Sequence, residues 1–113
     1  MVSALAIKHS KADRVFDALG DATRRAIIHL LSRGPLSVSA LAQPLGVTLT
    51  AVGQHLEILQ SCGLLKTRKV GRVRLCEADR KGLDILEQWI AFHRQAWEAR
   101  LDRLGDLLEG EKE

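Results

Sequence analysis

Long apolar runs are missing from this 113-residue chain, and so are the motifs that mark most enzymes. No stretch reaches the roughly 18 apolar residues that a membrane-spanning helix needs. The N-terminus carries only a brief apolar patch, Val2 and Ala4 to Ile7, without a cleavage-site pattern. Cysteine is scarce: Cys62 and Cys76 are too few for a disulfide framework and fit a reducing compartment. These absences predict a cytoplasmic protein. There is no phosphate-binding glycine-rich loop, no zinc-hydrolase motif and no nucleophile elbow, so the sequence offers no seat for catalysis. Internal repeats and low-complexity tracts are lacking too.

What is present is 46% apolar and 27% charged, the balance of a folded domain rather than a disordered tail. The length suits one domain and is too short for two. A net charge of +3 favours anionic partners only modestly, so the placement of the charges must decide.

Periodicity predicts a mainly α chain with one interruption. Lys11 to Leu19 carries Val15, Phe16 and Leu19 at helical spacing, and Gly20 ends it. Asp21 or Thr23 can cap the next helix, which runs to about Ser32 and is stopped by Arg33-Gly34-Pro35. Ser37 caps a short helix with Val38, Leu41 and Ala42, which Pro44 and Gly46 are expected to break. Thr48 caps a fourth helix through about Ser61, with Gly63 in the C-cap position. Leu64 to Lys69 and Val73 to Glu77 then alternate as strands do, around Val70-Gly71-Arg72, where Gly71 can supply a positive φ. From Asp79 to about Leu108 one long amphipathic helix follows, with a frayed tail expected from Gly110.

This order is that of a winged helix-turn-helix domain with a two-stranded β-hairpin wing and a long C-terminal dimerisation helix. It is expected to be a single domain over residues 1–113. Residues 11–78 would form the helix-turn-helix and wing, and residues 79–108 the dimerisation helix. The tight turn at Gly46 sets two helices at a steep angle, so that the second projects and fits a major groove. With Val52, Leu56 and Leu59 inward, Thr50, Ala51, Gln54 and His55 become the expected base contacts. Gln54 can pair with an adenine edge, and a methyl of Thr50 or Ala51 with that of thymine. Ser37 and Thr48 at helix starts, with Arg68, Lys69, Arg72 and Arg74 around the wing turn, are the expected contacts to the DNA backbone. A charged hairpin also serves merely to discourage edge pairing. Four cations with no acid before Glu77 favour the DNA reading.

The chain resembles the ArsR/SmtB family of bacterial winged-helix repressors. Residues 16–79, from "FDALGDATRR" through "VGQHLEILQSCGLL" to "GRVRLCEAD", and the closing "FHRQAWEARLDRLGDLLE" carry the resemblance. Gly20-Asp21-Ala22-Thr23-Arg24-Arg25 is similar to the family's entry to its second helix. Val52-Gly53-Gln54-His55-Leu56, with Leu59 and Gly63-Leu64-Leu65, is similar to its recognition helix and exit. The resemblance implies a homodimer on double-stranded DNA at a palindromic operator, usually released by an effector, whose identity the residues do not specify. Gly53 departs from the pattern, standing where the family often has serine.

The family's metal sites are not matched. Its Cys-x-Cys position reads Ser37-Val38-Ser39-Ala40-Leu41 here, and the last helix offers Asp84, His93 and Asp102 without the second histidine. His9 and His29 stand alone as surface or packing residues. No metal and no cofactor are expected. If the hairpin centres on Gly71, Cys76 lies opposite Lys66, so both cysteines are expected to be buried thiols without a regulatory disulfide.

On the long helix Leu83, Leu86, Ile90, His93, Trp97, Leu101, Leu104 and Leu108 recur every three or four residues, and Trp89 and Phe92 widen the apolar surface. So small a domain covers only part of such a helix, which predicts a homodimer interface joined by Val15, Phe16 and Leu19. A winged helix used only for protein contact, or as an activator, is the alternative.

Overall fold

Side-chain caps set the start of the first four helices. A computed structural model describes residues 10–111. It contains α1 (Lys11–Leu19), α2 (Ala22–Leu31), β1 (Leu36–Ser37), α3 (Val38–Leu45), α4 (Leu49–Ser61), β2 (Leu65–Val70), β3 (Val73–Ala78) and α5 (Arg80–Glu111). Ser10, Asp21, Ser37 and Thr48 each accept a hydrogen bond from the backbone N–H three residues on, at 3.0–3.2 Å. Each such cap stabilises its helix by about 1 kcal/mol.

Pro44 does not break α3, contrary to expectation. It lies in the last turn, where it removes one internal hydrogen bond, and the break falls at the left-handed Gly46. At the end of α4 the N–H of Leu64 reaches the Leu59 carbonyl at 3.0 Å, and that of Gly63 reaches Gln60 at 3.2 Å. These paired bonds need a left-handed residue between them, which Gly63 supplies at φ +79°.

The sheet has three antiparallel strands in the order β1-β3-β2, one more than the sequence predicts. β1 has two residues, too few for alternation to show. The hairpin turn is the two-residue Gly71-Arg72, with Val70 paired to Val73. This places Cys76 opposite Thr67, not Lys66, because the turn is one residue shorter than a loop centred on Gly71. Leu36 flanks Cys76 on its other side.

Val15, Ala18, Ile27, Leu31, Leu41, Val52, Leu56 and Leu59 meet the sheet residues Leu65 and Cys76 in one core with Cys62 and Leu64. Val15 is therefore not at a subunit boundary. Its side chain is fully buried within its own chain, while Phe16, one position on, is exposed. α5 runs on past Leu108 and through Gly110 to Glu111, the last described residue, where the sequence predicts a frayed tail. His9 and the Val2 and Ala4 to Ile7 patch lie outside the described residues, as do residues 112–113. The radius of gyration is 19.6 Å. A compact chain of this length would measure about 13 Å, so the part of α5 beyond its contacts at Leu86 and Trp89 must stand clear of the body.

α5 leaves the body at a close crossing. The Gly82 N–H donates to the Gly63 carbonyl at 2.7 Å, and a Cβ at Gly82 would lie 2.8 Å from the Leu64 side chain and 3.0 Å from the Gly63 carbonyl carbon. Leu64 is buried and cannot swing away. Gly82→Ala is thus expected to lower the thermal unfolding midpoint, overpacking of this kind costing about 1–3 kcal/mol. An unchanged midpoint would show that the crossing can relax.

Candidate nucleic-acid interface

α3 and α4 are joined through the left-handed Gly46. Val52, Leu56 and Leu59 anchor α4 in the core. The opposite side, at one-turn and two-turn spacing, is an exposed stripe of Thr50, Gln54, Glu57 and Ser61. Two of the sequence-derived base contacts, Thr50 and Gln54, lie on this stripe, and Ala51 stands half-buried at its margin. The Ser37 and Thr48 hydroxyl oxygens accept the capping bonds of α3 and α4. Such a bond occupies the oxygen only, so the Thr48 hydroxyl proton can still be offered to a phosphate, while the Ser37 hydroxyl also shares a hydrogen bond with that of Ser39 at 3.3 Å.

His55 does not share the stripe. Its half-buried ring turns toward the body, with Nδ1 3.3 Å from an Arg24 guanidinium nitrogen and 3.9 Å from the Asp21 carboxylate. Arginine can only donate, so in its contact with Arg24 the Nδ1 atom accepts. Arg24 also donates to the carbonyls of Ala18 at 2.6 Å and Asp17 at 3.2 Å, the last turn of α1. One guanidinium thus joins α1, α2 and α4. Asp21, whose carboxylate accepts the Arg24 backbone N–H, is held below the ordinary value of 3.8, chiefly by that bond. The hub was not anticipated from sequence, because its partners are carbonyls and a histidine far along the chain.

The wing cations divide between two faces. Alternation puts Lys69 and Arg74, a cross-strand pair, on the side of Thr67 and Cys76. Arg74 donates to the Thr67 hydroxyl at 3.2 Å. Arg68 lies on the other side, 3.6 Å from Glu77, which also has Lys66 at 4.0 Å. Two clefts separate wing from helices. One, of about 390 Å³, is lined by Val38, Gly53, Leu56, Glu57, Gln60 and Arg74. The other, of about 330 Å³, is lined by Ser37, Ser39, Leu49, Arg72 and Arg74 among others. Gly53 and Glu57 of α4 thus share one cleft with Arg74, and Leu49 at the start of α4 shares the other with Ser37, Arg72 and Arg74.

On α5, Ile90, Trp97, Leu101 and Leu104 are exposed, whereas Leu86 is partly buried against the core. Phe16 meets Trp89 edge-on at 4.9 Å, and Trp89 stacks on His93 at 3.9 Å. The Trp89 carbonyl accepts from His93 Nδ1 at 2.8 Å. α1 and α5 thus present one aromatic patch. Among the described residues no helix is long and apolar enough to cross a membrane, and no His, Cys, Asp and Glu side chains gather as metal ligands.

Cys62 and Cys76 are free and buried, and burial pushes both thiols above the ordinary value of 9.0. Their neutral form is favoured in the fold, so the stability this contributes is complete below pH 9.0 and declines as pH rises past it. Iodoacetamide at pH 8 is expected to label both thiols rapidly in urea and slowly in the native protein. Equal rates would show open thiols.

Comparison with known proteins completes the description. A family model described as a helix-turn-helix domain matches residues 19–68. The chain is 45% identical over 74 residues to the HTH-type transcriptional regulator Rv2034 of Mycobacterium tuberculosis, covering 66% of this chain and 69% of that protein. An ArsR-like transcriptional regulator from Rhodococcus sp. RHA1 superposes with a TM-score of 0.77 at 34% identity, over 86% of this chain and 92% of that one. The homodimeric winged helix-turn-helix DNA-binding domain Mb0332 from Mycobacterium bovis does so with a TM-score of 0.62 at 28% identity, over 87% and 89%. With the winged fold, the capped reading helix and these likenesses together, the chain belongs to the ArsR family of DNA-binding transcriptional regulators.

Proposed function

We propose that this regulator is a repressor that binds a palindromic operator as a homodimer. The observation that carries this reading is the exposed Thr50–Gln54 stripe of α4, on a helix whose first residue, Leu49, shares a cleft with Arg72 and Arg74 of the wing edge. Residues 11–78 act as the reading part and residues 79–108 as the dimerisation helix of one domain. Thr50, Ala51 and Gln54 contact base edges. The Ser37 and Thr48 hydroxyls and the Lys69, Arg72 and Arg74 side chains contact phosphates. Arg68, turned away with Glu77, contributes less than the sequence suggests.

Dimerisation is supported by the uncovered apolar side of α5, where Trp97, Leu101 and Leu104 are each more than half exposed. Burial of such a surface in a second copy is favourable by roughly 25 cal/mol per Å². Phe16, Leu19, Leu86, Ile90 and His93 extend the interface toward the body, and the homodimeric state of the Mb0332 neighbour supports a dimer. Two-fold symmetry then sets the reading helices about 34 Å apart, one turn of duplex. Repression follows most simply, because occupying a promoter needs no surface beyond the DNA face.

The test is fluorescence anisotropy with duplex from the protein's own upstream region and a scrambled control, across salt concentrations. Preferential binding that weakens steeply with salt is expected, and Arg74→Ala should reduce the log–log salt slope by about 1. Absence of binding to either duplex at low salt would refute the reading. Sedimentation at micromolar concentration should give a dimer, and a monomer would remove the symmetric operator.

A further inference from the structure

Two features of α4 are left unexplained by packing within the chain. Gly53 sits in the middle of the helix, where glycine is the weakest ordinary helix former. A Cβ placed there would meet nothing within 4 Å, so no neighbour in the protein demands its absence. One turn further, Glu57 projects from the same exposed side, next to Gln54 on the stripe. Its carboxylate makes no ion pair among the described residues, unlike Glu77, which holds Lys66 and Arg68. Gly53 and Glu57 line one cleft, with Arg74 of the wing across it.

An unpaired carboxylate on a surface that meets phosphates repels the duplex at every sequence. It becomes favourable only where it finds a donor, and the floor of the major groove supplies one. The cytosine N4 amino group donates there with only a C–H beside it. Adenine N6 is a donor too, but the neighbouring N7 lone pair opposes a carboxylate. The missing side chain at Gly53 leaves a notch through which a base pair can approach the helix axis closely. We infer that Glu57 is a specificity-determining residue that accepts a hydrogen bond from the amino group of a cytosine, over the notch left by Gly53. The inference rests on the DNA reading proposed above. Glu57 weakens binding to all other sequences and so sharpens discrimination rather than raising affinity.

The experiment is selection of bound duplexes from a randomised pool by the full chain, in parallel with Glu57→Gln and Gly53→Ala. The wild type should enrich a C·G pair at one position of each half-site. Glu57→Gln should lose at least about fivefold of the discrimination at that pair, keep the other positions, and bind random duplex more tightly. Gly53→Ala should melt at higher temperature yet bind the selected duplex more weakly, a combination that a purely structural glycine would not give. Undiminished C·G discrimination by Glu57→Gln would overturn the assignment. So would a uniform loss over all sequences, which would make Glu57 a brace for Arg74. Gly53→Ala binding like the wild type would remove the notch. Enrichment of no base by the wild type itself would instead bring down the sequence-reading function, a result distinct from these.

Discussion

The contact on which the arrangement depends is the crossing of Gly63 and Gly82. The end of α4 and the start of α5 meet there backbone to backbone, through the 2.7 Å hydrogen bond from Gly82 to Gly63. Leu64, immediately after the crossing, has its carbonyl bonded to the Asp79 N–H at 3.0 Å. The whole wing is therefore a closed excursion that leaves α4 at Leu64 and returns beside it at Asp79. The angle between the helix that reads and the helix that carries the apolar face is then a property of packed backbone. No linker intervenes. In a symmetric pair this angle would translate directly into the separation of the two reading helices.

A second constraint acts at the other end of α4. Arg24 closes the last turn of α1 through Ala18 and Asp17 and touches His55 on the second turn of α4. α1 in turn carries Phe16 against Trp89 of α5. α4 is thus fixed at its start by the Thr48 cap, along its inner side by Val52, Leu56 and Leu59, on its flank by Arg24, and at its end by Gly63. Only the outward stripe is unconstrained. Rigid support of this kind lets a few side chains discriminate between bases without first being ordered.

Most of the architecture was legible because its signals are local. Caps at Asp21, Ser37 and Thr48, apolar spacing along four helices and the glycine after α4 each act within one turn of chain. What escaped was set by partners distant in sequence. β1 exists only because β3 accepts it, and two residues have no periodicity of their own. The hairpin register turned on a single residue of turn length, which moved Cys76 from Lys66 to Thr67. His55 read as outward by its polarity, yet Arg24, 31 positions earlier, draws it in. Val15 and Phe16 are adjacent and both apolar, and only the rotation of α1 on the core decides which one is buried. The wing cations were found, but the alternation that sends Arg68 to the Glu77 side matters more than their number.

The division of charge bears on how such a protein would find its site. A net charge of +3 spread over 113 residues gives a weak general attraction to DNA. Non-specific affinity grows with each phosphate neutralised, whereas selectivity depends on its ratio to specific affinity. Glu77 restrains two of the wing-side cations, leaving Arg72 and Arg74 as the edge nearest α4. The stripe itself, Thr50, Gln54, Glu57 and Ser61, carries no positive charge at all. On the proposed reading, electrostatic attraction is confined to the margins of the surface, and its centre is left to hydrogen bonds that only particular base pairs can satisfy. A reading helix rich in lysine would bind more duplexes. A stripe without positive charge, on the proposed reading, refuses most of them.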